Sequence, residues 1–271
     1  MTGAFIVASA TLDAPWTSWL LGEAKPLWSY LLYLQNWFMA DGFGANWLGV
    51  TWSLAVEEQF YLVFPVLIFL CPVRWIPALC LALVALAIGC RWWLYEQGTY
   101  YAYVLLPARV DALAMGALIA WTSLQDSARF SMARNMLVCT LSCAIAGIAL
   151  FLIAKVVFQE GLGGTLLHLG LALVSAALVL QAIRNVGGLT QWLLDNSLCR
   201  WLASISYMLY LLHQPMLGLV HGMWLQQQPA INNLQDALAT GLALVLSLAL
   251  STISLAFFER PILRLAHRFK Y

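Results

Sequence analysis

The run from 237 to 258, ALATGLALVLSLALSTISLAFF, holds no charged residue. It is long enough to cross a bilayer as a helix, which takes about 20 apolar residues. A run of this kind constrains the chain more than any short motif. In hydrocarbon every backbone N–H and C=O must find a partner within the protein, which leaves only helices or closed barrels. Runs near 56–72, 75–94, 106–123, 136–157, 164–183 and 202–224 read the same way. The expected fold is therefore all-α, a polytopic transmembrane helix bundle of about seven complete spans. Composition agrees, with 63% hydrophobic and 9% charged residues, where a soluble domain carries roughly 25% charged ones. Ser247, Ser251 and Ser254 are small enough to allow close helix contacts, and Pro65 and Pro215 predict kinks within their spans.

Charges in the loops set the orientation. The tail 259–271 holds Arg260, Arg264, Arg268 and Lys270, which assigns the C-terminus to the cytoplasm. Counting back through seven spans, the internal loops carry Arg74, then Arg129 and Arg134, then Arg184 and Arg200, while loop 225–236 outside has no Lys or Arg. Lys25, Lys155 and Arg91 are the external exceptions. A single domain 1–271 then divides into an extracytoplasmic segment 13–55, spans over 56–258 and a basic tail 259–271. MTGAFIVASATL, ahead of Asp13 and Pro15, lacks the basic start of a signal peptide. It reads as the outer end of a span whose remainder is missing.

The net charge of +1 excludes the basic imbalance of a nucleic-acid partner, and the lipid bilayer is the main one. Thirteen Trp and ten Tyr suit a long membrane–water interface. Cys71, Cys80, Cys90, Cys139, Cys143 and Cys199 show no C-x-x-C or Cys/His ligand spacing. They read as buried small hydrophobes, with no metal site and no bound cofactor.

Ionisable groups within spans are costly and so become functional candidates. Glu57 and Glu58 follow Trp52 and Ser53 in the opening turns of a helix, and Ser53, Glu57 and Tyr61 share one face at four-residue spacing. A cap by Ser53 with acidic residues near the positive dipole end explains either glutamate alone. It explains less well the polar cluster that continues through Gln59 and Tyr61. Arg109 and Asp111 enter a span together, and their plain reading is a neutral ion pair at a helix end. The functional reading places Arg109 at a pocket mouth, on a phosphate or carboxylate of a substrate. Tyr207, Tyr210 and His213 lie along one helix stripe beside Pro215. His213 is either a base in a polar cavity or a histidine bonded to a carbonyl that Pro215 frees. His168 stands isolated, His221 nears an interface, and His267 sits in the basic tail. Glu259 and Pro261 read as structural, a helix stop with snorkelling charges.

No P-loop, G-x-S-x-G, H-E-x-x-H or nucleotide fingerprint is present. The residues alone leave an enzyme, a transporter or a scaffold with a polar cavity open.

The blocks LWSYLLYLQNWF (27–38) and TWSLAVEEQFYLVFPVL (51–67) resemble the signature of the acyltransferase 3 family of integral membrane acyltransferases. RVDALAMGALIA (109–120), SISYMLYLLHQPML (204–217) and FFERPILRL (257–265) are similar to later family blocks in the same order. The resemblance implies transfer of an acyl group, often acetyl, from cytoplasmic acyl-CoA to a hydroxyl of a cell-envelope or exported carbohydrate or glycolipid, in the bacterial inner membrane. It also implies that Glu57 and Glu58 line or brace a polar site at the outer side, with Trp52, Ser53 and Tyr61 as hydrogen-bonding neighbours. His213 is then a residue of the substrate path.

The family's first span carries a basic residue followed by the histidine held to be catalytic, and an Arg-x-x-Arg motif opens its third span. Neither occurs here, and seven spans fall three short of the family's ten. The chain is thus expected to lack N-terminal spans, with the catalytic histidine upstream of Met1. The alternatives are a permease for a small or lipid-linked sugar and an inactive remnant. A permease of this kind predicts internal symmetry between halves, and the sequence shows none.

Overall fold

Residues 14–124, 142, 145–150, 152–153, 161–183 and 195–266 are described in the computed structural model. All regular structure among them is helical. The long helices are α1 (Trp52–Leu70), α2 (Ile76–Glu96), α3 (Leu106–Leu124), α4 (Leu162–Ile183), α5 (Ser197–Leu225) and α6 (Leu234–Ser254). Five stretches are long and apolar enough to cross a membrane: Asn46–Leu70, Val73–Glu96, Tyr101–Leu124, Leu162–Ile183 and Leu234–Leu265. Their outward surface is oily, with Phe69 88% and Leu62 76% exposed, which water does not tolerate over so long a helix and lipid does. The protein is an all-α polytopic membrane bundle. Expected span 202–224 corresponds to α5, which is not among the five stretches because Ser204, Ser206, Tyr207, Tyr210, His213 and Gln214 dilute it. Most of the expected span 136–157 lies outside the described residues.

The chain divides into two compact units. One comprises Trp28–Gly42 and Trp52–Leu194. Here α2 and α3 pack along their length, α4 lies against both, and α1 packs on α3. Phe60, Ala87 and Val110 form a buried cluster with Phe64, Leu83, Leu106 and Leu113 around it. The connection from α2 to α3 turns at Gly98, whose φ of 65° suits glycine. It then makes one helical turn at Tyr101–Val104 and extends at Leu105. Pro107 falls in the first turn of α3, where a missing N–H costs nothing. This connection is tied to the segment before α1. Tyr100 N donates to Ala40 O (2.9 Å), and the Tyr101 hydroxyl donates to Trp37 O (2.8 Å).

The other unit comprises Met1–Leu27, Phe43–Thr51 and Asp195–Tyr271, and its centre is the antiparallel pair α5 and α6. Helix α5 starts at Asn196, whose side chain accepts from Cys199 N, and ends at Gln226 in the left-handed region. Helix α6 starts with a reciprocal cap. Asn233 Oδ1 accepts from Asp236 N, while Asp236 accepts from Asn232 N and from Gln227 Nε2. Its buried face is Asp236, Ala239, Ala243, Ser247 and Ser251. Lipid removes most of the hydrophobic drive between helices, so these small residues hold the pair by close contact. The helix Pro15–Leu21 packs on α5, and an added Cβ on Gly218 would fall 2.7 Å from Leu20 Cδ1.

The helix does not stop at Glu259-Arg260-Pro261. It widens into a π-turn over Leu255–Glu259 and continues through Arg260–Ala266. A proline has no N–H and crowds the carbonyl four residues back, and a widened turn absorbs both. Ser254 Oγ closes that turn by donating to Glu259 Oε1 at 3.1 Å, so Glu259 and Pro261 are structural in a different way from a helix stop. Pro65 and Pro215 lie inside unbroken helices.

Candidate active site

One end of the unit built from α1 to α4 is polar. Arg91 is wholly buried in the second-last turn of α2, and its Nη2 lies 2.8 Å from each carboxylate oxygen of Asp111. The Arg91 Nε also donates to Ala108 O at 2.9 Å. One arginine therefore binds both the backbone and a side chain of α3. Its remaining nitrogen, Nη1, has no hydrogen-bond partner among the described residues.

Asp111 thus pairs with Arg91, and the expected ion pair between Asp111 and Arg109 does not form. Residues two apart on a helix point about 200° apart, so Asp111 turns toward α2 and Arg109 turns away. The Arg109 guanidinium carbon lies 5.4 Å from the centre of the Trp52 ring and 5.3 Å from that of Tyr103. Both distances lie within cation–π range. Trp52 opens α1 and Tyr103 comes from the short turn before α3. Their own rings lie 4.7 Å apart, so three elements converge on one cation.

His168, in the second turn of α4, joins from the other side of Tyr103, with ring centres 6.0 Å apart. Its Nδ1 lies 2.7 Å from Gly164 O. A carbonyl only accepts, so Nδ1 carries the proton and Nε2 presents a lone pair in the neutral ring. The Tyr95 hydroxyl is 3.5 Å from the same Nδ1. Gly164 makes room for Tyr95, since an added Cβ there would fall 2.6 Å from Tyr95 Cζ. A further amide pair lies beside the cluster. Gln59 Nε2 donates to Asn36 Oδ1 (2.9 Å) and Tyr33 O (2.7 Å), and Asn36 Nδ2 donates to Val104 O (3.0 Å).

The arrangement offers a cation under two aromatic rings, an imidazole with an available Nε2 and two phenols, next to a neutralised ion pair. It can hold an anion and accept a hydrogen bond from a hydroxyl. Among the described residues no three His, Cys, Asp or Glu come together as a metal would need.

Of the residues singled out in the sequence, Trp52, Arg109 and Asp111 belong to this cluster. Ser53 is partly buried nearby on α1. Glu57, Glu58 and Tyr61 are exposed, because α1 turns Ala55, Val56 and Phe60 inward instead. Tyr207, Tyr210 and His213 belong to the other unit. There Tyr207 is exposed, the Tyr210 hydroxyl donates to Val50 O at 2.8 Å, and exposed His213 bonds through Nδ1 to Tyr210 O at 2.6 Å. That carbonyl belongs to the residue three before the histidine; the one four before Pro215 is Leu211's.

Arg91, Tyr95, Tyr103 and His168 are members that sequence reasoning passed over. For Arg91 and His168 the signal was present, since each lies inside an apolar run. Arg91 is also not an external loop charge, which removes one exception to the charge bias of the loops.

A family model described as an acyltransferase domain, acyltransferase 3, matches residues 4–256. The chain belongs to the acyltransferase 3 family. No curated protein and no solved structure matches it. As a member of this family with five apolar helices able to span a bilayer, the chain is an integral membrane protein of the acyltransferase kind.

Proposed function

We propose that this membrane acyltransferase moves an acyl group, acetyl in the simplest case, from acyl-CoA to a hydroxyl of a cell-envelope or exported carbohydrate. Its setting on this reading is the bacterial inner membrane. The observation that carries the reading is the group around Tyr103. A cation and an imidazole share one aromatic ring at the end of an otherwise apolar bundle, in a chain whose family transfers acyl groups.

In such a transfer the acceptor oxygen attacks the thioester carbonyl, a C–O bond forms and the C–S bond breaks. The hydroxyl proton passes to a base and the thiolate leaves as CoA. Within this chain, Nε2 of His168 is the acceptor able to hold a sugar hydroxyl. The phenols of Tyr95 and Tyr103 can hydrogen-bond other oxygens of the same acceptor. The resemblance puts the family's catalytic histidine elsewhere, so His168 is assigned to holding the acceptor.

Proteoliposomes of the chain supplied with acetyl-labelled acetyl-CoA and a mixed carbohydrate extract test the reading. Label appearing in an alkali-labile sugar ester supports it. Uptake of labelled sugar without ester formation supports the permease instead, and neither signal supports the inactive remnant.

A further inference from the structure

When the internal pairings of the polar cluster are counted, one positive charge is left over. Arg91 and Asp111 cancel as a buried pair. Arg109 forms no hydrogen bond or ion pair among the described residues, and the nearby carboxylate of Asp111 is already engaged by Arg91. Glu57, Glu58 and Glu96 are exposed, and none of them is ion-paired with Arg109 among the described residues. Two aromatic faces orient a guanidinium but do not neutralise it. A charge set into low-dielectric surroundings stays costly until an anion reaches it. Arginine's planar fork suits an oxyanion bound through two oxygens.

The position of the cluster decides between the two substrates of the proposed reaction. Trp52 starts α1, Arg91 and Tyr95 end α2, Arg109 starts α3 and His168 lies near the start of α4. All of them therefore sit at one end. At the opposite ends the sequence places Arg74 between α1 and α2, Arg129 and Arg134 after α3, and Arg184 after α4. By the positive-inside rule that opposite end faces the cytoplasm. The 19 residues of α3 rise about 28 Å at 1.5 Å each. The phosphates of a cytoplasmic donor are a membrane thickness away from Arg109, while an extracytoplasmic acceptor arrives next to it.

We propose that Arg109, clamped by Trp52 and Tyr103, is the anion-binding element of the acceptor subsite and takes a phosphate or carboxylate carried by the carbohydrate. This rests on the acyltransferase reading for the word acceptor, and on the cluster alone for the anion. Nη1 of Arg91, buried and without a hydrogen-bond partner among the described residues, is a second donor in the same group.

The test holds the full chain in nanodiscs and measures binding of glucose 6-phosphate, methyl glucuronoside, neutral methyl glucoside and CoA. The expected result is that one anionic sugar binds about tenfold or more tightly than the neutral one, as a charge-assisted pair allows. Which of the two wins tells phosphate from carboxylate. Arg109→Gln removes the preference, Arg109→Lys keeps part of it, and CoA binding is unchanged in both. If Arg109→Gln is not monodisperse, competition by inorganic phosphate on the wild type against Arg109→Lys gives the same comparison. In sealed vesicles the anionic sugar binds from the face opposite the Arg74 loop.

Equal binding of charged and neutral sugars overturns the proposal, as does a fall in CoA affinity in Arg109→Gln, which moves the residue to the donor. Acetyl transfer is read separately on the same preparations. Transfer without anion preference keeps the enzyme and removes this subsite. Anion preference without transfer to any acceptor overturns the acceptor assignment and leaves only an anion site.

Discussion

Arg91 and Asp111 meet with Nη2 2.8 Å from both carboxylate oxygens, and neither side chain is open to solvent. The pair pins α2 to α3 at the end of the bundle where the polar cluster lies. Removing one partner strands the other, at a cost of about 3–5 kcal/mol. Asp111→Ala is therefore expected to lower the thermal unfolding midpoint in detergent more than the double variant Arg91→Leu with Asp111→Leu. A midpoint for Asp111→Ala equal to that of the wild type would remove the pair from the account of stability.

Gln59 ties α1 to the turn before it, through Asn36 and the carbonyl of Tyr33. Asn36 is fully buried, so Gln59→Leu takes away one of its partners and leaves polar atoms in an apolar setting. The expected loss is about 1–3 kcal/mol, read as faster proteolysis or a lower unfolding midpoint. Gln59→Leu at unchanged stability would show that the amide pair is incidental.

Much of the fold was legible because span length is a local property. The run 237–258 anticipates α6 to within a few residues of Leu234–Ser254, and 106–123 anticipates Leu106–Leu124. Charges and large aromatics at helix starts were also legible, and Trp52 and Arg109 stand out in the sequence alone. Pairing between helices was not. Asp111 finds Arg91 across 20 positions, and the register that brings them together is written in packing and not in periodicity. His168 looked isolated because its sequence neighbours are apolar, while Tyr95 and Tyr103 arrive from other elements. The π-turn at Leu255–Glu259 escaped for a related reason. A proline announces a disturbance, yet whether the helix ends or widens depends on the contacts of the residues around it.

Gly222 and Gly241 form a matched pair of tests. A Cβ on Gly222 would overlap the Trp16 ring, whereas one on Gly241 meets nothing within 4 Å. Gly222→Ala is expected to destabilise by about 1–3 kcal/mol, the usual cost of forcing atoms into filled space. Gly241→Ala is expected to be neutral or to stabilise by up to about 1 kcal/mol, because it removes a flexible residue from a helix interior. Unfolding midpoints of the two variants, measured side by side, check the sign of each. Equal effects would mean that the helix Pro15–Leu21 does not pack on α5 in the membrane.

Glu57 and Glu58 offer the sharpest separation of fold from function. Both are exposed on α1 while Ala55, Val56 and Phe60 take the inner face, so neither carboxylate supports packing among the described residues. Glu57→Gln and Glu58→Gln keep shape and volume and remove only charge. Surface changes of this type stay within about 0.5 kcal/mol, so expression and unfolding midpoint are expected to match the wild type. If the two carboxylates line the outer polar site that the resemblance implies, acyl transfer falls on the order of tenfold or more with the charge removed. Loss of activity with an intact fold would give the WSLAVEEQFY block a substrate-facing role. Full activity in both variants, at full expression, would reduce the two carboxylates to interfacial charges at the start of a span.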